Sequence, residues 1–399
     1  MKVLKKNILF SFILLVLINF PKINLVSIAG LQQGLRVDDI LFLVFLFGCI
    51  IKRSKVRILG GYSGVALIIF MFISCFLSFI FIEEFNFISV VFNFRWLQYF
   101  LFVYVFKDVF LKSSITVFKL TLWLQVFIST FQVYFLNFYR SQGSFNGPWE
   151  LANVALLLGL FIYFNENKKR YLLLTLVIIS QSSSRMTLIA FTVIAGILLF
   201  RYLRDKKLIY SVSVFLVLSY MSFLFIPILL STYSLDFLSN LDVIFNLIDE
   251  IKDEVALSIE FGNESSSLFD NFKDSLDGSL SMRFDMWLNL FFKYMSYQPR
   301  LLGILFGISP GQIGIIIDGL YVRLFFEFGL IGTYLFYKWI KSILETYKDK
   351  LINSNTKYYL LVLLISGLTL DPFTSSKIML ALSAVLCMQT SSNLNEKVI

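Results

Sequence analysis

The chain has 399 residues, of which 58% are apolar and 18% aromatic while only 15% carry charge, a composition that excludes an ordinary water-soluble domain. Its formal net charge of +9 lies mostly in short segments between apolar runs, so a nucleic-acid-binding face is not expected. Histidine is absent, and Cys49, Cys75 and Cys387 stand far apart within apolar stretches, so neither a disulfide framework nor a metal site or cofactor is indicated.

Uncharged apolar stretches of about 17–25 residues, enough to cross the hydrocarbon of a bilayer, recur from end to end. The opening Met1-Lys-Val-Leu-Lys-Lys6 resembles a signal peptide but lacks a small-residue cleavage site, so it is read as the start of a retained helix over 7–29. Further helices are expected over 37–51, 58–82, 86–106, 114–136, 149–164, 171–184, 186–203 and 208–230, and then over 319–340, 357–371 and 376–390. The expected fold is therefore an all-α integral membrane protein of about twelve transmembrane helices with one large helical extracytoplasmic loop. Its parts are spans one to nine in 1–230, the loop in 231–318 and spans ten to twelve in 319–399.

Orientation follows from charge. Most of the 35 lysines and arginines fall in segments that share one side in this scheme, among them Lys52 to Arg57, Lys168 to Arg170, Arg201 to Lys207 and Lys338 to Lys357. The positive-inside rule places that side, and both termini, in the cytoplasm. The 231–318 segment is then extracytoplasmic; it holds half of the 26 acidic residues. Leu235–Ile259 and Met282–Met295 both carry apolar residues at helical spacing, so a small helical cap is expected there, and a loop of this length more often carries function than mere connection.

Within this frame a few residues are placed to do chemistry. Tyr171 to Ile179 is too short to cross lipid alone and runs into Ser180-Gln-Ser-Ser-Ser-Arg185. Two readings are open: a water-filled recess with Arg185 at its floor or rim, or a tight turn whose arginine meets headgroup phosphates. Arg283 and Trp287 lie four apart, so one helical face would bear a guanidinium and a large ring. With Arg140, Arg185 and Arg300, Arg283 would form a cationic pocket in an otherwise acidic layer, and the planar guanidinium fork suits phosphate oxygens. Taken singly, an arginine in an acidic loop is more often a salt-bridge partner. Arg323 and Glu327, also four apart, are expected to pair, while Gly329 and Gly332 admit a close neighbour. Asp318 stands at the mouth of the tenth span, one turn from Tyr321, where it could take a proton from a hydroxyl or cap the helix.

The chain resembles the O-antigen ligase/polymerase superfamily, the Wzy-type polysaccharide polymerases and WaaL-type ligases. The resemblance is carried by Arg36-Val-Asp-Asp39, Gly143-Ser-Phe-Asn-Gly-Pro148, Ser184-Arg185, Arg283 with Trp287, and Gly303 to Gly307 ahead of Asp318, in that order around one large loop. The ligases begin the tenth span with a His-Asn-like pair and a following Gly-x-x-Gly. Here Asp318-Gly319, Gly329 and Gly332 keep that spacing with Asp in place of His, which favours the polymerases.

The resemblance implies a GT-C-like membrane glycosyltransferase in a bacterial inner membrane. Such enzymes join undecaprenyl diphosphate-linked oligosaccharide repeat units on the extracytoplasmic face, without a metal. By this likeness Arg185 and Arg283 would hold the donor diphosphate and stabilise the leaving group, and Asp318 would orient or deprotonate the attacking hydroxyl. Arg140, Arg300, Tyr321 and Trp287 would line the substrate site. The implied partners are the lipid-linked oligosaccharide, the bilayer, and a flippase and chain-length regulator of the same pathway. A ligase-type glycan transferase and a lipid-linked oligosaccharide flippase are the alternatives. A flippase would be expected to show two similar halves with polar breaks in both, and no such echo is visible.

Overall fold

The computed structural model describes residues 2–27, 34–53, 56–82, 85–204, 286–287, 289–291, 293–294, 297, 299–312, 319–347 and 355–396. The helix expected over 208–230, most of the 231–318 loop with its helical cap, Arg283 and Asp318 lie outside them. Two compact units divide the chain: one of Met1–Ile194 with Leu290–Ile399, the other of Ala195–Asn289. The first unit contains the helical bundle; the helix Arg185–Arg204 begins in it and ends in the second.

The first helix, α1 (Lys2–Asn19), stops ten residues short of the expected end at 29. Pro21 is the reason, since its ring disfavours helical backbone at the residue before it. The chain then forms an antiparallel pair, β1 (Asn24–Ser27) with β2 (Gly34–Arg36), in the register Asn24 to Arg36 and Ser27 to Gly34. Arg36 leads straight into α2 (Val37–Ile51), and Asp39, in the first turn, accepts the Arg36 backbone N–H at 3.0 Å.

The helices α3 (Gly61–Phe81), α4 (Ile88–Val105), α5 (Lys107–Lys112), α6 (Thr116–Tyr134), α7 (Pro148–Glu166), α8 (Arg170–Ser182) and α9 (Arg185–Arg204) come next. Later in the chain are α10 (Arg300–Phe306), α11 (Leu320–Phe326), α12 (Gly329–Thr346), α13 (Asn355–Ser366), a 3-10 turn at Pro372–Thr374 and α14 (Ser376–Glu396). Among the described residues α3, α4, α6 and α7 are long and apolar enough to cross a membrane. The protein is a helical membrane protein.

Two helices form the centre. Every residue of α7 from Glu150 to Ile162 is buried, as are Ser376 to Gln389 of α14, so both are covered all round rather than along one stripe. Without a hydrophobic driving force between helices in lipid, close packing has to supply the cohesion. At Gly159 of α7 an added Cβ would lie 2.1 Å from Thr175 Oγ1 of α8, so only glycine admits that contact. On the other side Trp96, Phe100, Phe328, Phe336, Trp339 and Phe373 form a cluster of tilted and edge-on rings. Trp339 also donates its indole N–H to Leu59 O at 2.9 Å, tying α12 to the start of α3.

The expected single helix over 319–340 is two, α11 and α12, broken at Glu327–Phe328. The break satisfies its own backbone. Phe326 O and Glu327 O, released from the helix, accept from Ile308 N and Ser309 N at 3.0 Å each. Gly329 sits at φ +60°, and a Cβ there would lie 2.5 Å from Gly307 N and 2.8 Å from Leu305 O. Gly332 is likewise approached by the Phe70 ring, so both glycines do admit close neighbours. Gly329→Ala is therefore expected to destabilise the folded chain by about 2 kcal/mol or more, from strain and overlap together. Gly48→Ala, where an added Cβ meets nothing within 4 Å, serves as the control. Thermal unfolding of detergent-purified protein checks this; equal midpoints for the two variants would contradict the packing described.

Candidate functional site

The short turn Asp371-Pro-Phe-Thr-Ser375 between α13 and α14, with Ser376 and Lys377 that open α14, gathers side chains from most of the central helices. Pro372 opens its 3-10 turn, and Asp371 caps it by accepting the Phe373 N–H at 2.9 Å. The other Asp371 oxygen accepts from Arg323 Nη1 of α11. Tyr99 of α4 donates its hydroxyl to Thr374 O at 3.1 Å. Ser375 donates to Glu150 of α7, Ser376 to Asp38 of α2 at 3.3 Å, and the Lys377 ammonium to Leu17 O of α1 at 2.7 Å.

Around this turn lie two ionic groups. In the first, Arg323 bonds Asp371 and donates Nε–H to Glu327 Oε2 at 2.6 Å, the pair expected from the four-residue spacing. Glu327 Oε1 accepts the Gly311 N–H at 3.0 Å, so the same carboxylate that balances Arg323 also pins the segment running toward 318. Ser309 is held as well, by Ser89 Oγ at 2.9 Å. All three charged side chains are at most 1% exposed. Each of the four carboxylate oxygens accepts an N–H donor, so the Arg323 guanidinium is held between two hydrogen-bonded carboxylates.

The second group centres on Glu150, 1% exposed, in the first turn of α7. It receives Lys22, Ser375 and the Asn146 N–H. Burial pulls the Lys22 ammonium below the usual lysine range, and the Glu150 carboxylate opposes that shift. Asp39 accepts from Gln98 at 3.0 Å as well as from the Arg36 N–H. Arg36 and Arg95 are each 8% exposed and Lys377 3%.

A neutral polar seam continues from here. Gln125 of α6 donates to Asn19 Oδ1 at 2.7 Å and to Ser144 at 2.6 Å. Gln132 Oε1 accepts from Ser141 Oγ, Gln142 N and Gly143 N. Gln181 of α8 bonds Ser129 and Thr130. The polar end of α8 is thus met by protein groups, and Ser183, in left-handed backbone, makes the reversal into α9 a tight turn.

The structure brings Arg140 and Arg185 to that same turn. Arg140 donates to the Ser182 and Ser183 carbonyls at 3.2 Å each, neutralising the C-terminal end of α8. Arg185 opens α9 and is exposed. Arg300 and Tyr321 belong to a different place, the first residue of α10 and the second of α11. Arg300 is exposed, and Tyr321, 45% exposed, lines a mainly apolar cleft with Tyr294, Ile304, Leu324, Phe325, Leu330 and Thr333, its hydroxyl bonded to Leu364 O at 3.0 Å. Trp287 is half-buried and belongs to the second unit.

Sequence reasoning passed over Lys22, Glu150, Asp371 and Lys377. The signal was there in the run of polar residues from Asp371 to Lys377 between two apolar stretches, and in single charges at helix ends where a polar core needs them. No protein-family model matches the chain, and comparison with curated proteins finds no match.

Proposed function

We propose that the protein is a glycosyltransferase of the bacterial plasma membrane that joins undecaprenyl diphosphate-linked oligosaccharide repeat units into a surface polysaccharide. One observation carries the reading. Two of the segments on which the family resemblance rests, Arg36 to Asp39 and Gly143 to Pro148, run into one hydrogen-bonded polar layer with Glu150 and the Asp371–Lys377 turn. Gly303 to Gly307 leads into the stretch of chain held by Glu327. Such a layer at one end of an apolar bundle suits a reaction on a lipid-anchored polar substrate, whereas transport calls for polar breaks in both halves.

In this reading the chain has about twelve spans in a GT-C-like arrangement, both termini are cytoplasmic, and the polar layer faces outward. Arg185 and Arg283 hold the donor diphosphate, Arg140, Arg300, Tyr321 and Trp287 line the substrate path, and Asp318 handles the proton of the attacking hydroxyl. The glycosidic bond forms between that hydroxyl oxygen and the anomeric carbon as the bond to the diphosphate breaks, and the lipid diphosphate leaves with the electron pair. No metal is required, since the arginines supply the countercharge.

Deleting the gene is expected to leave surface glycan carrying a single repeat unit. Loss of even that unit, with lipid-linked units accumulating inside, would identify a flippase; full-length polymer left on its lipid carrier would identify a ligase. Reporter fusions at Lys55, Lys169 and Lys206 are expected to read cytoplasmic and a fusion near Asn263 extracytoplasmic. A cytoplasmic signal at Asn263 would overturn the orientation.

A further inference from the structure

Joining two lipid-linked chains requires two lipid anchors to be held at once, and the side chains read as substrate-binding fall in two places. Arg140 and Arg185 stand at the α8–α9 turn, where α8 packs on α6 and α7. Arg300 and Tyr321 stand on α10 and α11, which both pack on α12, and α12 packs in turn on α3. This second place holds a mainly apolar cleft of about 420 Å³, walled by Tyr294, Ile304, Tyr321, Phe325 and Leu330. It opens on the surface of the bundle, since Ile304, Tyr321, Phe325 and Leu330 are all exposed.

An apolar cleft on the flank of a membrane protein takes hydrocarbon in preference to water, and this one has the size of a small-ligand site, enough for part of a long chain. A cation at one end sets it apart from a plain lipid-facing groove. The chain from Tyr297 to Phe306 runs along α3, from the Phe81 ring at that helix's end to the Phe70 ring near its middle, where Ser74 donates to Phe306 O at 2.9 Å. Arg300 therefore lies nearer the end of α3 than Ile304 does, one turn away on the same face of α10 and about 6 Å along its axis, and it is exposed. Hydrocarbon in the cleft thus leads to an anionic head group at Arg300, and the guanidinium fork suits the oxygens of a diphosphate. Tyr321 also stands three residues after Asp318, to which the glycosyltransferase reading gives the acceptor's hydroxyl.

We propose that the cleft between α10, α11 and α12 holds the polyprenyl chain of the acceptor, the lipid-linked unit whose hydroxyl attacks, with Arg300 on its diphosphate, while Arg185 and Arg283 hold the donor elsewhere. That role rests on the glycosyltransferase reading and assigns Arg300 and Tyr321 to one of its two substrates.

The full chain, in liposomes of fixed phospholipid composition, is given saturating lipid-linked polymer as donor and rising amounts of labelled single lipid-linked units as acceptor, and label entering polymer is followed. Leu330→Trp, which fills the cleft from an exposed position, and Arg300→Gln are each expected to raise the half-saturating concentration of single units about tenfold, the scale of one charge-assisted hydrogen bond. The half-saturating concentration of donor polymer and the maximal rate are expected to stay at the parental values. Leu173→Trp, at an exposed position of α8 outside the cleft, is the control and is expected to match the parent. Thermal midpoints in detergent establish that the variants fold; should Leu330→Trp not fold, Ile304→Trp fills the cleft from its other wall. Parental dependence on single units in both cleft variants shows that the cleft holds ordinary bilayer lipid, and a raised requirement for donor polymer in its place shows that the assignment is reversed; either result overturns the acceptor site and leaves the glycosyltransferase reading standing. A folded parent that makes no polymer overturns that reading, and the acceptor site with it.

Discussion

Arg323→Ala is expected to destabilise the folded protein by about 3–5 kcal/mol, enough to empty the membrane of folded chain in many backgrounds. The substitution removes one cation from between two carboxylates that are almost wholly buried. Glu327 would then keep the Gly311 N–H and Asp371 the Phe373 N–H, each without the guanidinium that now bonds it. The damage would spread along two routes, through Gly311 to the segment preceding Gly319 and through Asp371 to the turn that anchors α14. Glu327→Gln and Asp371→Asn each keep the shape and remove one negative charge, so each is expected to cost less than Arg323→Ala. The triple variant with Arg323→Met, Glu327→Gln and Asp371→Asn is expected to recover much of the loss, because a buried ion group is worth little more than a neutral replacement of the same volume. Thermal midpoints of the four variants and the parent in one detergent decide the matter, and an Arg323→Ala midpoint equal to that of the parent would show that the group is not what holds this layer together.

Asp318→Asn is expected to reduce polymerisation by about 100-fold or more, the scale of a lost general acid–base group, while the protein remains in the membrane and binds its substrate. In the proposed reaction a carboxylate is the expected proton acceptor, since the chain has no histidine. In the resemblance to the ligases Asp318 takes the histidine position, and the chain on either side of 313–318 is fixed. On one side Gly311 is bonded to Glu327 and Gln312 to the Asn86 N–H. On the other Leu320 N donates to Gly367 O at 2.8 Å. Asp318→Glu is expected to retain little activity, since the added methylene moves the carboxylate. A near-normal Asn variant would instead identify a helix cap, because Asn caps about as well as Asp. Arg185→Ala and Arg283→Ala are expected to abolish polymer in the same assay, with Lys rescuing only in part for want of the planar fork.

Short-range signals in the sequence were dependable guides to local structure. Apolar run length pointed to the helical membrane class, four-residue spacing to the Arg323–Glu327 pair, and the two glycines of Gly329-Leu-Ile-Gly332 to close approach. Two boundaries were hidden because the apolar run continues through them: Pro21 ends α1 inside such a run, and the α11–α12 break shows only in its partner segment 307–309. The polar layer was harder still. Its central contacts join Lys22 to Glu150 and Glu150 to Ser375, 128 and 225 residues apart, and no periodicity records a pairing at that distance. The serine-rich end of α8 shows the converse limit, since a run of polar residues at membrane depth looks the same whether water or a neighbouring helix satisfies it; here Ser129, Thr130 and Ser141 do.

The glycosyltransferase account is tested most directly by reconstituting the purified full chain in liposomes with lipid-linked repeat units extracted from the deletion strain, in the presence of a metal chelator. The account predicts a ladder of products two or more units long, with free undecaprenyl diphosphate released in step with each bond and no ladder from Asp318→Asn. Folded wild-type protein that leaves every unit single, with no lipid diphosphate released, would contradict it.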